Sequence, residues 1–536
     1  MDHIIFNPVE SYHTQLQKLH AGNTDAFFQE LVQRSGINIE ENRQTVQQYE
    51  QCLTAFGTLK KKRNLLRFLR VLMCITVLLI PVVIFKLTPK IRALKEEMDT
   101  LDARAKELLE LANRQMSPLN ALFTDKDALR IIESVLPLIR FEPYLSAEQE
   151  QDMKLNYDFC DNSDNERSTL DVLSGRYNDN PFVFENRLIH TMGTEVYHGY
   201  KTISWTETYR DSNGKLQTRT RTETLHATVT KPKPFYNTQV VLHYGAQGAP
   251  ELSFSRDATH LDRKSERALE RYVSRGEKKL KRKADRALKK NEDFVSMSNT
   301  EFEVLFDALD RTDEVQFRSL FTPLAQTNMV ELITSDVGYG DDFDFIKRRR
   351  MNHISSTHSQ NRHLILTPDL YTSYSYDVIQ ANFTTQNTDF FKAVYFDLAP
   401  ILAIPAYQER PVHSLMPVPD HTQMYSYKEC EALANAVPAS LVVHPNTKTS
   451  AIIKSAYLSS QGKTDQAQIS AFSYDIEGRV DYVSMLGGDG RYHSVAVPWD
   501  EYLPLMAHNT FCFADIETAA GHEVVASRNG LCIFKK

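Results

Sequence analysis

The residues that could carry out chemistry do not form a known catalytic motif. Gln461-Gly462-Lys463-Thr464 ends like a phosphate-binding loop, but that motif requires Gly at the position where Tyr457 stands. His522-Glu523 begins like the helix of a zinc metalloprotease and lacks the second His. Neither a G-x-S-x-G elbow nor a G-x-G-x-x-G turn occurs. We therefore assign no catalytic residue and no cofactor, and an enzyme with dispersed catalytic residues stays open.

Candidate metal ligands are also poorly spaced. His353, His358 and His363 recur every five residues within 338–363, whereas ligands on one helix face prefer spacings of three or four. The stretch is predicted to be a mobile charged loop. Residues 161–168 resemble a calcium loop but lack its central Gly and distal Glu. We predict a loop there and no metal site.

One segment is strongly basic. Residues 262–290 hold 13 Lys and Arg against 5 Asp and Glu, in a chain of formal net charge −7. An apolar stripe predicts an amphipathic helix, broken or bent near Gly276. A solvated helix that covers the next domain is the first interpretation, and contact with anionic lipid or with an acidic protein is the functional alternative. No nucleic acid is expected. The candidate contact residues are Arg271, Arg275, Lys278, Lys279, Lys281, Arg282, Lys283 and Arg286.

A short motif follows in residues 299–326. Phe302-Glu303-Val304 precedes an acidic spacer and the phrase Arg318-x-Leu320-x-Thr322-Pro323. This arrangement resembles an uncharacterised family (a domain of unknown function) of bacterial membrane-associated proteins, which more usually has Leu where Phe321 stands. The resemblance implies a bacterial, membrane-associated α+β domain and brings no catalytic residues. From the residues themselves, 301–306 is predicted to be a strand, and a helix to begin after Thr322-Pro323.

The element that would hold the rest of the chain at a membrane is an apolar stretch at 65–87, whose centre, 71–85, contains no charge. As a helix it would span about 34 Å against a hydrocarbon thickness of about 30 Å. We predict one transmembrane helix in a single-pass protein of the cell membrane. Six Lys and Arg precede its centre and four follow it, so the positive-inside rule places the N-terminus in the cytoplasm and the C-terminal region outside.

Helices are expected on both sides of this segment. Residues 1–64 show helical periodicity. In 90–115, apolar residues recur at near-heptad spacing over about three heptads. This spacing predicts a short helical stalk, of the coiled-coil type, that packs against a partner helix in the same chain or in another.

Antiparallel strands are predicted beyond the stalk. The β-rich runs 202–210 and 215–230 flank Asn213-Gly214, which is a hairpin signal, and 235–244 is expected to add a third strand. The apolar run 390–408 is predicted to be a core strand. The C-terminal unit alternates in six segments, and its GGDG sequence at 487–490 is predicted to be a turn with positive φ. The segments are 451–458, 467–476, 479–486, 492–499, 509–516 and 531–536.

The predicted fold class is α+β: N-terminal helices and one transmembrane helix, a short stalk, then soluble α+β domains with antiparallel sheets. Six widely separated Cys argue against a disulfide scaffold or a zinc finger; disulfide formation by Cys160, Cys430, Cys512 and Cys532 stays open. The predicted segments are a helical N-terminus (1–64), the transmembrane helix (65–87), the stalk (88–140), a β-rich hairpin domain (141–260), the basic helix (261–292), an α+β domain (293–411) and a β-rich C-terminal domain (412–536).

These features favour a membrane-anchored binding or assembly protein of the bacterial envelope. Its expected partners are the bilayer, an anionic lipid or acidic protein through 262–290, and a helix through 90–115. The alternative is a membrane-anchored hydrolase without a recognisable linear motif. A concave pocket that gathers carboxylates or His would favour that alternative.

Overall fold

The computed structural model divides the chain into two compact units. The described residues are 4–74, 83–160, 165–210, 212, 214–259, 265–290, 297–308, 310–360, 362–412, 422–528 and 530–534. One unit, the helical unit, comprises 10–137 and 365–396; the other, the sheet unit, comprises 1–9, 138–364 and 397–536. Each unit therefore joins segments that are far apart in the sequence.

Helices form the N-terminal third of the chain, as predicted, and recur between the strands. Their bounds are α1 Pro8–Ser11, α2 Gln17–Ser35, α3 Ile39–Cys74, α4 Thr88–Asn120, α5 Asp127–Val135, α6 Ala147–Tyr157, α7 Glu266–Lys290, α8 Thr300–Phe306, α9 Glu314–Leu320, α10 Pro323–Thr334, α11 Tyr376–Leu402, α12 Pro405–Gln408 and α13 Tyr427–Asn435, with π-helical turns at Tyr12–Leu16 and Val83–Leu87. Short 3-10 turns lie at Thr357–Ser359, Pro368–Leu370 and Ala439–Leu441.

Helices α3 and α4 lie side by side in the helical unit. The Gln115 amide of α4 donates to Thr45 Oγ1 of α3 at 3.2 Å. Buried residues of α4 follow the periodicity that predicted the stalk, which gives the helix one apolar face: Ile91, Leu94, Met98, Ala105, Leu108, Ala112, Met116 and Leu119. Helix α3 of the same chain is therefore one neighbour of this stalk.

The predicted transmembrane helix at 65–87 lies partly outside the described residues, which break off after 74 and resume at 83. Within the described part of the chain, no helix has the length and apolar character that crossing a bilayer requires. Leu65, Phe68, Val71 and Phe85, which flank the break, are exposed.

The strands of the sheet unit are antiparallel, as predicted. Among the described residues, one sheet has the order β1-β2-β3-β4-β7-β6-β5 and the other β11-β12-β10-β9-β8. Their bounds are β1 Ile139–Phe141, β2 Arg167–Tyr177, β3 Asn180–Arg210, β4 Leu216–Gly245, β5 Ser253–Arg256, β6 Phe343–Arg348, β7 Met351–Ser356, β8 Ile452–Gln461, β9 Thr464–Leu486, β10 Tyr492–Asp515, β11 Val524–Arg528 and β12 Leu531–Phe534. The chain is thus an α+β protein.

Two long hairpins dominate these sheets. The predicted hairpin at 202–230 is the outer part of β3 and β4. The expected third strand at 235–244 is instead the continuation of β4. Among the described residues, β4 pairs with β3 alone at Pro232 and Pro234, so neither Pro breaks a second ladder there. Similarly, the predicted segments at 467–486 and at 492–516 merge into β9 and β10, joined by the GGDG turn, where Gly490 has φ 78°.

The two hairpins pack face to face. Ile203, Leu225 and Ala227 of the first form a buried cluster with Val495 and Val497 of the second. Gly199 permits this approach, because a Cβ there would lie 2.3 Å from the carbonyl oxygen of Ala496. Helix α13 packs on the second sheet through Leu433 and Ala434.

Two predicted strands are helices. Residues 301–306 belong to α8, where the Asn299 side chain accepts from Phe302 N at 3.0 Å and caps the helix. The apolar run 390–408 lies largely in α11. Both segments are buried on most sides, and an apolar run of this kind has the same sequence signature in a strand and in a buried helix. Helix α10 begins at Pro323 behind the Thr322 cap, as predicted.

Helix α7 confirms the predicted amphipathic helix but is not broken at Gly276. The glycine instead faces Val304 of α8, and a Cβ there would lie 2.4 Å from Val304 Cγ1. The missing side chain therefore permits close packing between the two helices.

Candidate functional site

The residues that the sequence singles out lie on α7. Seven of the eight are exposed and Lys283 is half-buried. Five of them, Arg275, Lys279, Arg282, Lys283 and Arg286, line a cavity of about 570 Å³ together with Val304 and Asp307. We call this cavity the basic groove. Arg271, Lys278 and Lys281 do not line it.

The floor of the basic groove contains one acid. Asp307 ends α8 in the left-handed region, at φ 51°. Burial raises the pKa of its carboxyl, while the charges of Lys279 and Lys283 act in the opposite direction. The groove therefore presents a predominantly cationic surface to a ligand.

A second cavity, of about 850 Å³, opens in the sheet unit. Its lining is rich in cations, which come from α6 and from strands β2, β3 and β6 or the turn after β6: Lys154, Arg167, Arg187, Arg348 and Arg349. Asp158 is the carboxylate among the described lining residues, and Arg349 and Arg350 approach it at 3.9 and 3.3 Å. We call this cavity the arginine pocket.

Two histidines also line the arginine pocket. His243 of β4 and His353 of β7 are direct partners in the register of neighbouring strands. Their Nδ1 atoms are 2.7 Å apart. Cross-strand partners lie on the same face of a sheet, so this contact follows from the register.

Behind the histidines lies a buried ion pair. Glu185 Oε2 is 3.1 Å from His243 Nε2, and Glu185 Oε1 is 2.8 Å from Lys428 Nζ of α13. Thr169 Oγ1 also donates to Glu185 Oε1 at 2.8 Å. Lys428, Glu185, His243 and His353 thus form a continuous row from the interior to the pocket, which we call the histidine row.

The pKa shifts fix the charges in the histidine row. Burial opposes ionisation of Glu185, but the charge of Lys428 and the hydrogen bonds from His243 and Lys428 outweigh it, so its pKa lies well below its usual range. Burial lowers the pKa of His243, against the pull of Glu185. Burial, reinforced by the positive charges of neighbouring groups such as Arg187 and Arg348, lowers the pKa of His353 well below its usual range. Glu185 is therefore ionised and both imidazoles are neutral at pH 7.

This charge state assigns the protons. Ionised Glu185 can only accept, so His243 carries its proton on Nε2 and its Nδ1 is an acceptor. His353 must then donate from Nδ1. Its Nε2 keeps a lone pair, and no described residue hydrogen-bonds to that atom. The row therefore ends in an imidazole nitrogen that is able to accept a proton.

The sequence interpretation of 338–363 as a mobile loop is wrong. The stretch contains the hairpin of β6 and β7, in which Phe343, Phe345, Met351 and Ile354 are buried at strand periodicity. Helical spacing of the three histidines does not reveal the site, because the partner of His353 is 110 residues away, on β4. Alternation of Phe343 and Phe345 with polar residues was the available signal for a strand.

The other two histidines of that series have different surroundings. His358 is held between two carboxylates, with Nδ1 2.7 Å from Asp342 and Nε2 3.3 Å from Asp397, and it stacks on Tyr339. Its side chain is 7% exposed and held on both sides, so we interpret it as part of the structural framework. His363 lies outside the arginine pocket lining. Within the described part of the chain, no group of three or more His, Cys, Asp or Glu is arranged to hold a metal ion.

The motifs rejected on sequence grounds occupy ordinary positions. Gly462-Lys463 forms the turn between β8 and β9, with φ 60° at Gly462. His522 follows a turn and stacks on Phe534 instead of lying on a helix. Within the described part of the chain, no disulfide is formed by Cys52, Cys160, Cys430, Cys512 or Cys532.

Comparison of the chain with protein-family models, with curated proteins and with solved structures gives no match. The arginine pocket and the basic groove are therefore the features of this chain that point to a function.

Proposed function

We propose that this chain is a membrane-anchored binding protein whose sheet unit takes a small anionic ligand, carrying a phosphate or carboxylate group, into the arginine pocket. The observation that supports this is the cationic lining of the pocket around the neutral His353. Guanidinium groups bind such oxyanions through paired, charge-assisted hydrogen bonds. The cavity volume lies in the range of small-molecule sites.

Calorimetric titration of the full chain in detergent with inorganic phosphate and pyrophosphate tests this binding. Losing one charge-assisted hydrogen bond costs about 1.5–3 kcal/mol, so Arg187→Gln and Arg348→Gln should each weaken binding by about tenfold or more. Arg318→Gln, on the exposed face of α9, is the matched control and should bind like the wild type. Absence of binding, or equal affinity in all variants, would contradict the proposal.

Membrane attachment is the second part of the proposal. The uncharged stretch 71–85 and the exposed Leu65, Phe68, Val71 and Phe85 around the break support insertion of 65–87. We expect the chain to stay in the membrane fraction after alkaline carbonate washing. A charge at the centre of an inserted segment costs about 2.5–3.5 kcal/mol, so Leu79→Arg should release much of the protein. Release of the wild-type chain by the wash would refute attachment through this segment.

Two observations favour different sides of the membrane for residues 88–536. The charge count favours an N-terminus in the cytoplasm and the remainder outside. The contacts of Gln115 with Asn42 and Thr45 favour both flanks on one side, because side chains at hydrogen-bonding distance cannot be separated by a bilayer. We propose the same-side arrangement, in which 65–87 enters the bilayer without crossing it. Labelling of single cysteines at Thr54 and Arg104 by an impermeant maleimide should then give equal accessibility, whereas opposite accessibility would restore the single pass.

The basic groove is proposed to contact anionic lipid head groups. Its cations Arg275, Lys279 and Arg282 are exposed on one stretch of α7, and each basic residue near an anionic surface contributes about 1 kcal/mol. Amide hydrogen exchange of α7 should slow in nanodiscs that contain phosphatidylglycerol and not in phosphatidylcholine alone. The variant Lys279→Gln/Lys283→Gln should lose this difference. Equal exchange of the wild-type helix in both lipids would argue against the contact.

A further inference from the structure

The histidine row has the parts of a proton-accepting device. Its outer member, His353, lines the arginine pocket and offers an unprotonated Nε2, while its Nδ1 is held by His243. Its inner end is an ionised carboxylate that is itself paired with Lys428. A proton taken up by His353 would create an imidazolium that Glu185 favours, while burial and Arg187 oppose it, so His353 would pass the proton on rather than keep it.

We propose that the arginine pocket is the active site of a phosphate-ester hydrolase in which His353 Nε2 is the general base, His243 and Glu185 are positioning residues, and the pocket arginines bind the phosphoryl oxygens. This inference rests on the proposed anion binding and supplies it with a substrate class. It also names a site and a catalytic residue for the hydrolase alternative.

The reaction balances as the addition of one water. His353 Nε2 takes a proton from a water molecule, whose oxygen forms a bond to phosphorus while the bond from phosphorus to the ester oxygen breaks. The leaving oxygen departs with that electron pair and takes a proton from solvent, and the imidazolium releases its proton to solvent. Arg187 and Arg348 stabilise the negative charge on the phosphoryl oxygens as the bonds change.

Three features of the row support this role over a purely structural one. The imidazole at the pocket is half-buried rather than enclosed. Its tautomer is fixed by two successive hydrogen bonds, which is the arrangement that orients a basic nitrogen. His198 of β3 and His226 of β4, which are diagonal neighbours rather than direct register partners, have a similar N–N distance of 2.9 Å. This pair is exposed and hydrogen-bonds to no carboxylate among the described residues.

That second pair gives a matched control. The full chain in detergent is incubated with p-nitrophenyl phosphate and with bis(p-nitrophenyl) phosphate, and release of p-nitrophenolate is followed. We expect turnover by the wild type and at least a 100-fold lower kcat for His353→Asn, because general base catalysis contributes about 10²–10⁴-fold. The Asn amide can still donate toward His243, so folding and phosphate binding should be retained. His198→Asn should be unaffected.

The positioning role of Glu185 has its own readout. Glu185→Gln should lower kcat while leaving KM for the same substrate nearly unchanged, because the carboxamide cannot stabilise the imidazolium but lies behind the pocket rather than in it. A variant that merely misfolds would lose phosphate affinity and thermal stability together.

The outcomes separate the two proposals. If inorganic phosphate binds and neither ester is hydrolysed above the buffer rate, or if His353→Asn retains the wild-type rate, the general-base role is refuted while anion binding stands. If inorganic phosphate does not bind at all, both proposals are wrong.

Discussion

Replacing Lys428 with Met would leave the Glu185 carboxylate buried without its cation. The two charged atoms are 2.8 Å apart, and the side chains are 3% and 6% exposed. At an effective dielectric constant of about 20, unit charges at that distance attract by about 6 kcal/mol. Glu185 would keep its hydrogen bonds from His243 and Thr169. We therefore expect a net loss of about 3–5 kcal/mol in the free energy of unfolding, which is typical of breaking a buried pair.

The same substitution should change the acid stability of the protein. Lys428 helps to hold the pKa of Glu185 below its unfolded value. Such a group contributes stability that is present above the unfolded pKa and is lost as pH falls through the folded pKa. Without Lys428 the folded pKa rises, so acid unfolding should move to a higher pH in the variant.

Urea denaturation of the full chain, followed by tryptophan fluorescence, measures these effects. Lys106→Met is the matched control, because its ion pair with Asp102 is at 2.6 Å but exposed, and solvent screens such a pair so that it contributes little to stability. The double variant Glu185→Gln/Lys428→Met should recover most of the loss, since it leaves no buried charge. The expectation is wrong if Lys428→Met loses no more free energy of unfolding than Lys106→Met, or if the double variant is as unstable as Lys428→Met.

Three further predictions concern packing and pH. Burial lowers the pKa of His20 from 6.5 to about 4. The wild-type protein should therefore lose about 3 kcal/mol of its free energy of unfolding as pH falls from 6.5 toward 4, because His20 is then protonated more readily in the unfolded chain. Urea titrations of His20→Phe at both pH values should lack that loss. Gly276→Ala should lower the free energy of unfolding by about 1–3 kcal/mol, because its Cβ meets Val304. Gly57→Ala lies in open space on α3 and should raise it by about 0.5–1 kcal/mol in the same measurement. Gly199→Ala should lower the thermal midpoint by separating the two long hairpins, whereas Gly478→Ala, also in a strand but without close neighbours, should leave it unchanged; equal midpoints would contradict that packing role.

Local signals determined much of the secondary structure. The caps and turns at Thr322-Pro323 and 487–490, and the periodicity of 88–120, act over a few residues, so the sequence alone located the corresponding elements. The hairpin signal at 202–230 was also sufficient to pair β3 with β4. The full length of those strands was not predictable, because it depends on what lies beside Pro232 and Pro234.

The secondary structure of two apolar runs was not decided by the sequence. Residues 301–306 and 390–408 are apolar enough to be buried in either a strand or a helix, and the sequence does not contain the neighbours that decide between them. At Gly276 the same limit applied to a single residue. A glycine in a helix permits either a bend or close packing, and only the position of Val304 decided for packing.

The sequence by itself determined the α+β class, the antiparallel hairpins, the basic helix and the apolar stretch at 65–87, because each depends on residue types within a short window. Only the tertiary structure decided the candidate site. His353 is hydrogen-bonded to His243, which is 110 residues away in the sequence, and the charge of Glu185 is stabilised by Lys428, which is 243 residues away. Strand register and the docking of α13 bring these groups together, and no short-range pattern encodes such contacts.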